Sequence, residues 1–138
     1  MTYDPNNIFA KILRGEIPSH KIYEDSHTLA FMDVMPQVDG HCLVIPRAAS
    51  RGLLDTDPAV LAQVMPVVQK VAKAATKAMD ADGFQLRQYN EPAAGQTVFH
   101  LHFHILPVKE GQPIRPHTGQ MADHALLAKQ AEKIRSFL

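Results

Sequence analysis

Residues Thr97–Leu106 read TVFHLHFHIL, in which Phe99, Leu101, Phe103 and Ile105 alternate with three histidines, His100, His102 and His104. In a strand, successive side chains point to opposite faces and same-face neighbours stand about 6.6–6.8 Å apart. The alternation therefore puts three imidazoles on one face and a uniformly apolar set on the other. That apolar face must be covered by a second layer, which predicts a sheet with helix packed on it and leaves the histidine face for chemistry.

The remaining sequence supplies both layers. PNNIFAKILRG carries Ile8, Phe9, Ile12 and Leu13 at helical spacing, with Asn6 or Asn7 as cap and Gly15 as stop. HKIYED, TLAFMDV and, after the Pro36–Gly40 turn, HCLVIPR predict three strands; GFQLRQYN predicts a fourth and QTVFHLHFHIL a fifth, antiparallel across the short loop Glu91–Gly95. Asp57-Pro58 caps a long helix whose stripe of Leu61, Val64, Met65, Val68, Val71 and Ala72 runs toward Met79 and should cover the fifth strand. Pro66 is expected to kink or break that helix. After Pro107 the chain turns proline- and glycine-rich, then returns to helical spacing from Met121 to Leu138 through Leu126, Leu127, Ala131, Ile134 and Leu138. At 138 residues one domain is expected, of α+β class.

Fourteen basic residues balance fourteen acidic ones, which gives no broad attraction to nucleic acid or to an anionic membrane. No apolar run approaches the roughly 20 residues of a membrane span, and MTYDPNNIFA lacks the pattern of a secretion signal, so a soluble, cytoplasmic protein is expected. The lone Cys42, in a strand-like run, reads as a small core residue and not as a catalytic thiol.

Three readings compete for the histidine face. Structural or solvated imidazoles explain any one histidine well but three in strict alternation poorly. A metal site could use two imidazoles of His-x-His, with His41 as a further ligand, yet no Cys-x-x-Cys or His-Glu-x-x-His completes it. Nucleophilic catalysis needs only a neutral imidazole, available near its reference pKa of about 6.5. Gly95-Gln96-Thr97, immediately before the histidines, would offer close backbone approach, N–H groups, a side-chain amide and a hydroxyl to phosphate oxygens.

HLHFHIL, together with IFAKILRGEIPSHKIYED, LAFMDVMPQVDGHCLVIPR and GQTVFHLHFHILP, resembles in order and spacing the Hint branch of the histidine triad (HIT) family of nucleotide hydrolases and transferases. The resemblance covers most of the chain. It implies a HIT-like fold with a five-stranded antiparallel sheet and helices on one face, a HIT domain over residues 1–108, and a C-terminal arm and helix over 109–138 that packs on the domain or on the partner of a homodimer built partly from the long helix. It also implies hydrolysis, without metal or cofactor, of a purine nucleoside 5'-monophosphate bonded to a leaving group such as an amine. His102 would be the nucleophile that forms a nucleotidyl-histidine intermediate. His104 would contact phosphate and leaving group, while His100 and His41 form a supporting layer. Asn90, Gly95, Gln96 and Thr97 match phosphate-contacting positions and Asp33 matches the carboxylate that receives the ribose hydroxyls. Ile8, Phe9, Ile12, Phe31 and Val34 resemble the slot for a purine ring.

Departures are also visible. Asn7 and Ala10 stand where many bacterial relatives carry the Cys-x-x-Cys of a structural zinc site, so none is expected. Met32 replaces a histidine of some relatives, and the Glu91–Gly95 loop and the tail differ from theirs. Two alternatives accompany the phosphoramidate reading: dinucleoside polyphosphate hydrolysis, as in the Fhit branch, and a nucleotide- or partner-binding protein with incidental turnover. His20, His27, His117 and His124 are expected to be solvated, and Arg47 and Arg51 to lie on the surface.

Overall fold

The computed structural model describes residues 2–116 and 120–138, so His117 lies outside the described residues. Strands β1 (Lys21–Glu24), β2 (Thr28–Met32), β3 (Cys42–Pro46), β4 (Gly83–Arg87) and β5 (Phe103–Val108) form one antiparallel sheet in the order β1-β2-β3-β5-β4. Three helices accompany it, α1 (Ile8–Leu13), α2 (Pro58–Ala78) and α3 (His124–Arg135). Among the described residues no helix is long and apolar enough to cross a membrane.

Helix α2 starts where its sequence starts it. Asp57 accepts a hydrogen bond from the Ala59 N–H, and Pro58 follows at a position whose missing donor has no intrahelical use. The expected break at Pro66 does not occur, for α2 runs unbroken through it. Pro66 and Ala62, whose carbonyl loses its partner, both lie on the exposed side, where water can serve instead. Met65, assigned to the buried stripe, is 40% exposed; Val67 and Ala74 take up core positions with Val64, Val68 and Val71.

Helices α2 and α3 share one face of the sheet. Val64, Val68, Val71 and Ala75 of α2 and Leu127, Ala131 and Ile134 of α3 pack against Ala30, Met32, Cys42, Val44, Phe103 and Ile105. The short α1 is the exception: its Phe9 lies over the opposite face, against Leu29, Phe31, Leu43 and Ile45. Helix α3 is shorter than the predicted 121–138 segment because Asp123 caps it, accepting from the Ala125 N–H. Gly40, just before β3, has φ +82°, and a Cβ there would stand 2.5 Å from the Met79 side chain. Only glycine fits that turn, which delivers His41 to the sheet.

The largest correction concerns the fifth strand. Its regular part begins at Phe103, six residues after Thr97, and β3 pairs with it only from Val44↔Phe103 to Cys42↔Ile105. Upstream, the Leu101 N–H turns to the Ser50 carbonyl and the His100 ring to the Pro46 carbonyl, so the chain bends out of the ladder. Leu101 still reaches the core under α2, but Phe99 does not: it is half-buried beneath the Arg51 guanidinium, 4.2 Å from its ring centroid.

Candidate active site

Four histidines converge at the bend into β5. The His102 and His104 ring centroids lie 5.0 Å apart, those of His41 and His104 5.2 Å, and Phe9 packs edge-on against His102 at 4.9 Å. His41 and His100 are fully buried, His102 nearly so, and His104 half-buried. The bend therefore replaces strand alternation as the device that gathers the rings.

Hydrogen bonds assign each ring its tautomer. His102 Nδ1 lies 2.7 Å from the His100 carbonyl oxygen, which can only accept, so Nδ1 donates and Nε2 keeps its lone pair. His100 donates from Nε2 to the Pro46 carbonyl at 2.8 Å, and its Nδ1 accepts from the Tyr3 hydroxyl at 2.7 Å. His41 Nδ1 accepts the Gln37 N–H at 3.1 Å, so the ring proton of neutral His41 sits on Nε2 and points to His104 Nδ1, 3.0 Å away. His104 in turn carries its own proton on Nε2. Burial pushes the His100 pKa down, against the raising effect of the Pro46 carbonyl, and burial likewise lowers that of His102, against the His100 carbonyl. Both rings are held neutral.

Asp33 stands beside the His41–His104 pair. Its Oδ1 accepts the Met35 N–H at 2.8 Å, and its Oδ2 lies 3.4 Å from His41 Nε2 and 3.9 Å from His104 Nδ1. A circle through these three ligand atoms has a radius of about 2 Å, a zinc–ligand distance. Hydrogen bonding opposes that use: a metal needs the Nε2 lone pair of His41, and the Gln37 N–H directed at Nδ1 keeps the proton on Nε2. The trio is better read as an ordered hydrogen-bond relay.

The loop ahead of the histidines is held from within. Gln96, 3% exposed, accepts the Glu91 N–H and donates to the Arg51 and Val98 carbonyls, so its amide shapes the loop and is not offered outward. Gly95, at φ +100°, gives its N–H to Pro92, whereas Thr97 stands exposed. Asn90 accepts from the Leu53 N–H and exchanges two bonds with Gln88. The Arg51–Glu91 pair at 2.7 Å clamps the same loop and draws the Glu91 pKa down; Arg51 is thus more than a surface residue.

Of the five apolar positions matched to a base slot, Phe9, Ile12 and Phe31 come together, with Phe9 and Phe31 edge-to-face at 5.4 Å. Val34 packs instead against the α2 side of the core, and Ile8 is 53% exposed. His20 and His124, expected to be independently solvated, bond to each other at 3.0 Å, joining the start of β1 to α3. Two contributors had no sequence signal at all. Tyr3 bonds His100 from 97 residues away, and the main-chain N–H of Gln37 sets the His41 tautomer.

Known proteins resemble this chain along most of its length. The HIT domain family model matches residues 14–111. Adenosine 5'-monophosphoramidase HNT1 of Saccharomyces cerevisiae is 38% identical over 109 residues, 79% of this chain and 66% of that protein. Adenylylsulfatase HINT3 of Arabidopsis thaliana is 43% identical over 103 residues, 75% of this chain, which spans about half (52%) of the plant protein. A crystal structure of a Hit-like protein involved in cell-cycle regulation from Bartonella henselae superposes with a TM-score of 0.93 at 51% identity, over 99% of this chain and 100% of that one.

Proposed function

The chain belongs to the HIT domain family, and from that premise we propose that it hydrolyses purine nucleoside 5'-monophosphate derivatives, phosphoramidates foremost, through a nucleotidyl-histidine intermediate on His102. The observation that carries this reading is the His102 ring: buried, neutral, its Nδ1–H pinned to the His100 carbonyl and its Nε2 left as a nucleophile of fixed direction. Nε2 attacks the α-phosphorus and the leaving group departs with the bonding pair. Water then attacks the same phosphorus, releasing the nucleoside monophosphate and returning the electron pair to Nε2.

The neighbours have matching roles. His104, oriented by His41, meets the leaving group; His100 holds the carbonyl that holds His102; Asp33 receives the ribose; Phe9, Ile12 and Phe31 flank the base. Exposed Thr97 offers its hydroxyl to phosphate, while Asn90, Gly95 and Gln96 set the loop that presents it. Generating the nucleophile calls for no metal, because neutral His102 already carries a lone pair on Nε2. A homodimer belongs to the same reading: Met65 on α2 and Phe84 and Leu86 on the edge strand β4 are large apolar side chains left 40–47% exposed, a surface that a second copy would cover.

The test is hydrolysis of adenosine 5'-phosphoramidate by wild type and His102→Ala, each with and without chelator. Chelator-resistant AMP release that the variant lacks is the expected result. Preference for a dinucleoside polyphosphate would reassign the substrate class, and AMP binding without turnover of either would leave a nucleotide-binding protein. Sedimentation reads the dimer directly.

A further inference from the structure

Cleaving a phosphorus–nitrogen bond leaves an amine that must take up a proton, whereas sulfate leaves as a stable anion that need not. Neutral His104 cannot serve as the source, since loss of its Nε2 proton would leave an imidazolate, far too basic near neutral pH. An amine leaving group therefore requires the His41–His104 pair to hold one proton more than its neutral state. With that proton in place, His104 Nδ1 and His41 Nε2 both carry hydrogens and confront each other at 3.0 Å. They then need an acceptor beside them. Asp33 Oδ2 is in that position, 3.4 Å from one nitrogen and 3.9 Å from the other, with Oδ1 anchored on the Met35 N–H. The side chains of Asp33, His41 and His104 are 9%, 0% and 15% exposed, so solvent screens this charge little.

Among the described residues, the other titratable or charged groups seen facing the pair are these, and none is a carboxylate. His102 faces His104 from the approach to β5 and Tyr89 from beyond β4, its ring 5.7 Å away. Arg87 lies opposite His104 in the β4–β5 register with its guanidinium on Gln85, and Cys42, near Asp33, has its thiol pKa pushed up by burial. Among these groups Asp33 is the one carboxylate.

We propose that Asp33, besides receiving ribose, is the counter-ion that lets the His41–His104 pair carry this extra proton, so that cleavage of amine leaving groups depends on its charge far more than cleavage of sulfate does. The inference rests on the His102 reading. In the first step the His102 Nε2 lone pair forms the new nitrogen–phosphorus bond, the amine leaves with the old bonding pair, and His104 protonates it, returning the pair to neutrality. In the second step water adds its oxygen to phosphorus, Nε2 recovers its electrons, and the proton released by water recharges the pair. Of the roughly four lone-pair positions on the carboxylate, the Met35 N–H takes one on Oδ1; the ribose hydroxyls use two, and the histidine pair shares the remaining one on Oδ2. One site could thus handle both chemistries that the yeast and plant relatives are named for.

The experiment compares kcat for adenosine 5'-phosphoramidate and adenosine 5'-phosphosulfate in wild type and Asp33→Asn. We expect the ratio of the two kcat values to move against the phosphoramidate by on the order of 10²-fold, the scale of a lost general acid. Wild type with the 2',3'-dideoxy forms of both nucleotides isolates the ribose role: KM rises for both and the kcat ratio holds. If Asp33→Asn does not fold, the wild-type pH profile serves instead. The phosphoramidate kcat should fall on the alkaline side as the pair loses its extra proton, with no such limb for the phosphosulfate. An equal kcat loss for both substrates, or the same alkaline limb in both, overturns the proposal. Wild type that turns over neither nucleotide defeats the catalytic reading and this one with it; turnover of both with an unchanged ratio defeats only the role of Asp33.

Discussion

The two faces of the β3–β5 pair are ordered by different physics. On the α2 side, Val44, Phe103 and Ile105 sit among valines and alanines, and what holds them is volume filled and water excluded. On the other side, His41, His100, His102 and His104 are held by directional hydrogen bonds of 2.7–3.1 Å, which together define which nitrogens carry protons. The first face should tolerate apolar residue sets of the right volume, since its contacts are non-directional. On the second face an isosteric change that moves one proton alters the chemistry. Damage to the apolar face should therefore appear as lost stability, and damage to the histidine face as lost turnover in a folded protein.

The sharpest way to break this contrast is His102→Ala. Turnover should fall by about 10⁴-fold or more, while the variant still unfolds as one cooperative unit in urea, with about 1–3 kcal/mol lost because the His100 carbonyl gives up its donor. Collapse of the fold in that variant would mean that the two faces are not separable. The converse is Ile105→Ala, fully buried under α2, which should cost about 2–5 kcal/mol of stability by urea unfolding while kcat at a permissive temperature stays within about threefold. Tyr3→Phe probes the boundary between the faces. It leaves the buried Nδ1 of His100 without a donor, so we expect about 1–3 kcal/mol of destabilisation, and a kcat roughly tenfold lower at unchanged KM, since His100 acts on His102 only through its carbonyl.

The gentlest probe is pH. His100 and His102 are held neutral with folded pKa values below the ordinary histidine value, so the unfolded chain binds more protons as pH falls. The stability they contribute is complete above about pH 6.5 and declines as pH drops through that value toward the folded pKa values. Urea titrations at pH 7.5 and 5.5 should show the loss; constant stability would mean that the rings are not sequestered. His102 should remain an unprotonated nucleophile below pH 6.5, so single-turnover rates should hold over the interval in which stability declines.

The contrast also explains how much the sequence disclosed. Period-two and helical patterns report burial, and burial governs β2, β3, the stripe of α2 and the apolar partners Leu101, Phe103 and Ile105; the exposed strand β4 and the Asp57 cap are legible from residue type instead. Hydrogen bonds between residues far apart leave no period. The bend at Thr97–His102 depends on the carbonyls of Pro46 and Ser50, and the His100 tautomer on Tyr3, so alternation correctly grouped the histidines while misplacing the cause. Gln96 illustrates the same limit: an amide in a glycine-flanked loop reads as a phosphate contact, yet three local partners turn it inward. Pro66 failed as a helix breaker because its effect depends on which side of the helix it occupies, a matter settled by the packing of α2 and not by the proline itself.

The tyrosine contacts carry one further consequence. The chain has no tryptophan and three tyrosines, and two of them, Tyr3 and Tyr89, have their rings 5.7 Å from His100 and His104 respectively. With no indole to outshine them, two of the chain's three tyrosine emitters stand at the rim of the histidine cluster. The unlabelled protein thus contains its own optical reporter, in which a nucleotidylated His102 or a recharged His104 would register as a change in tyrosine fluorescence within a single turnover.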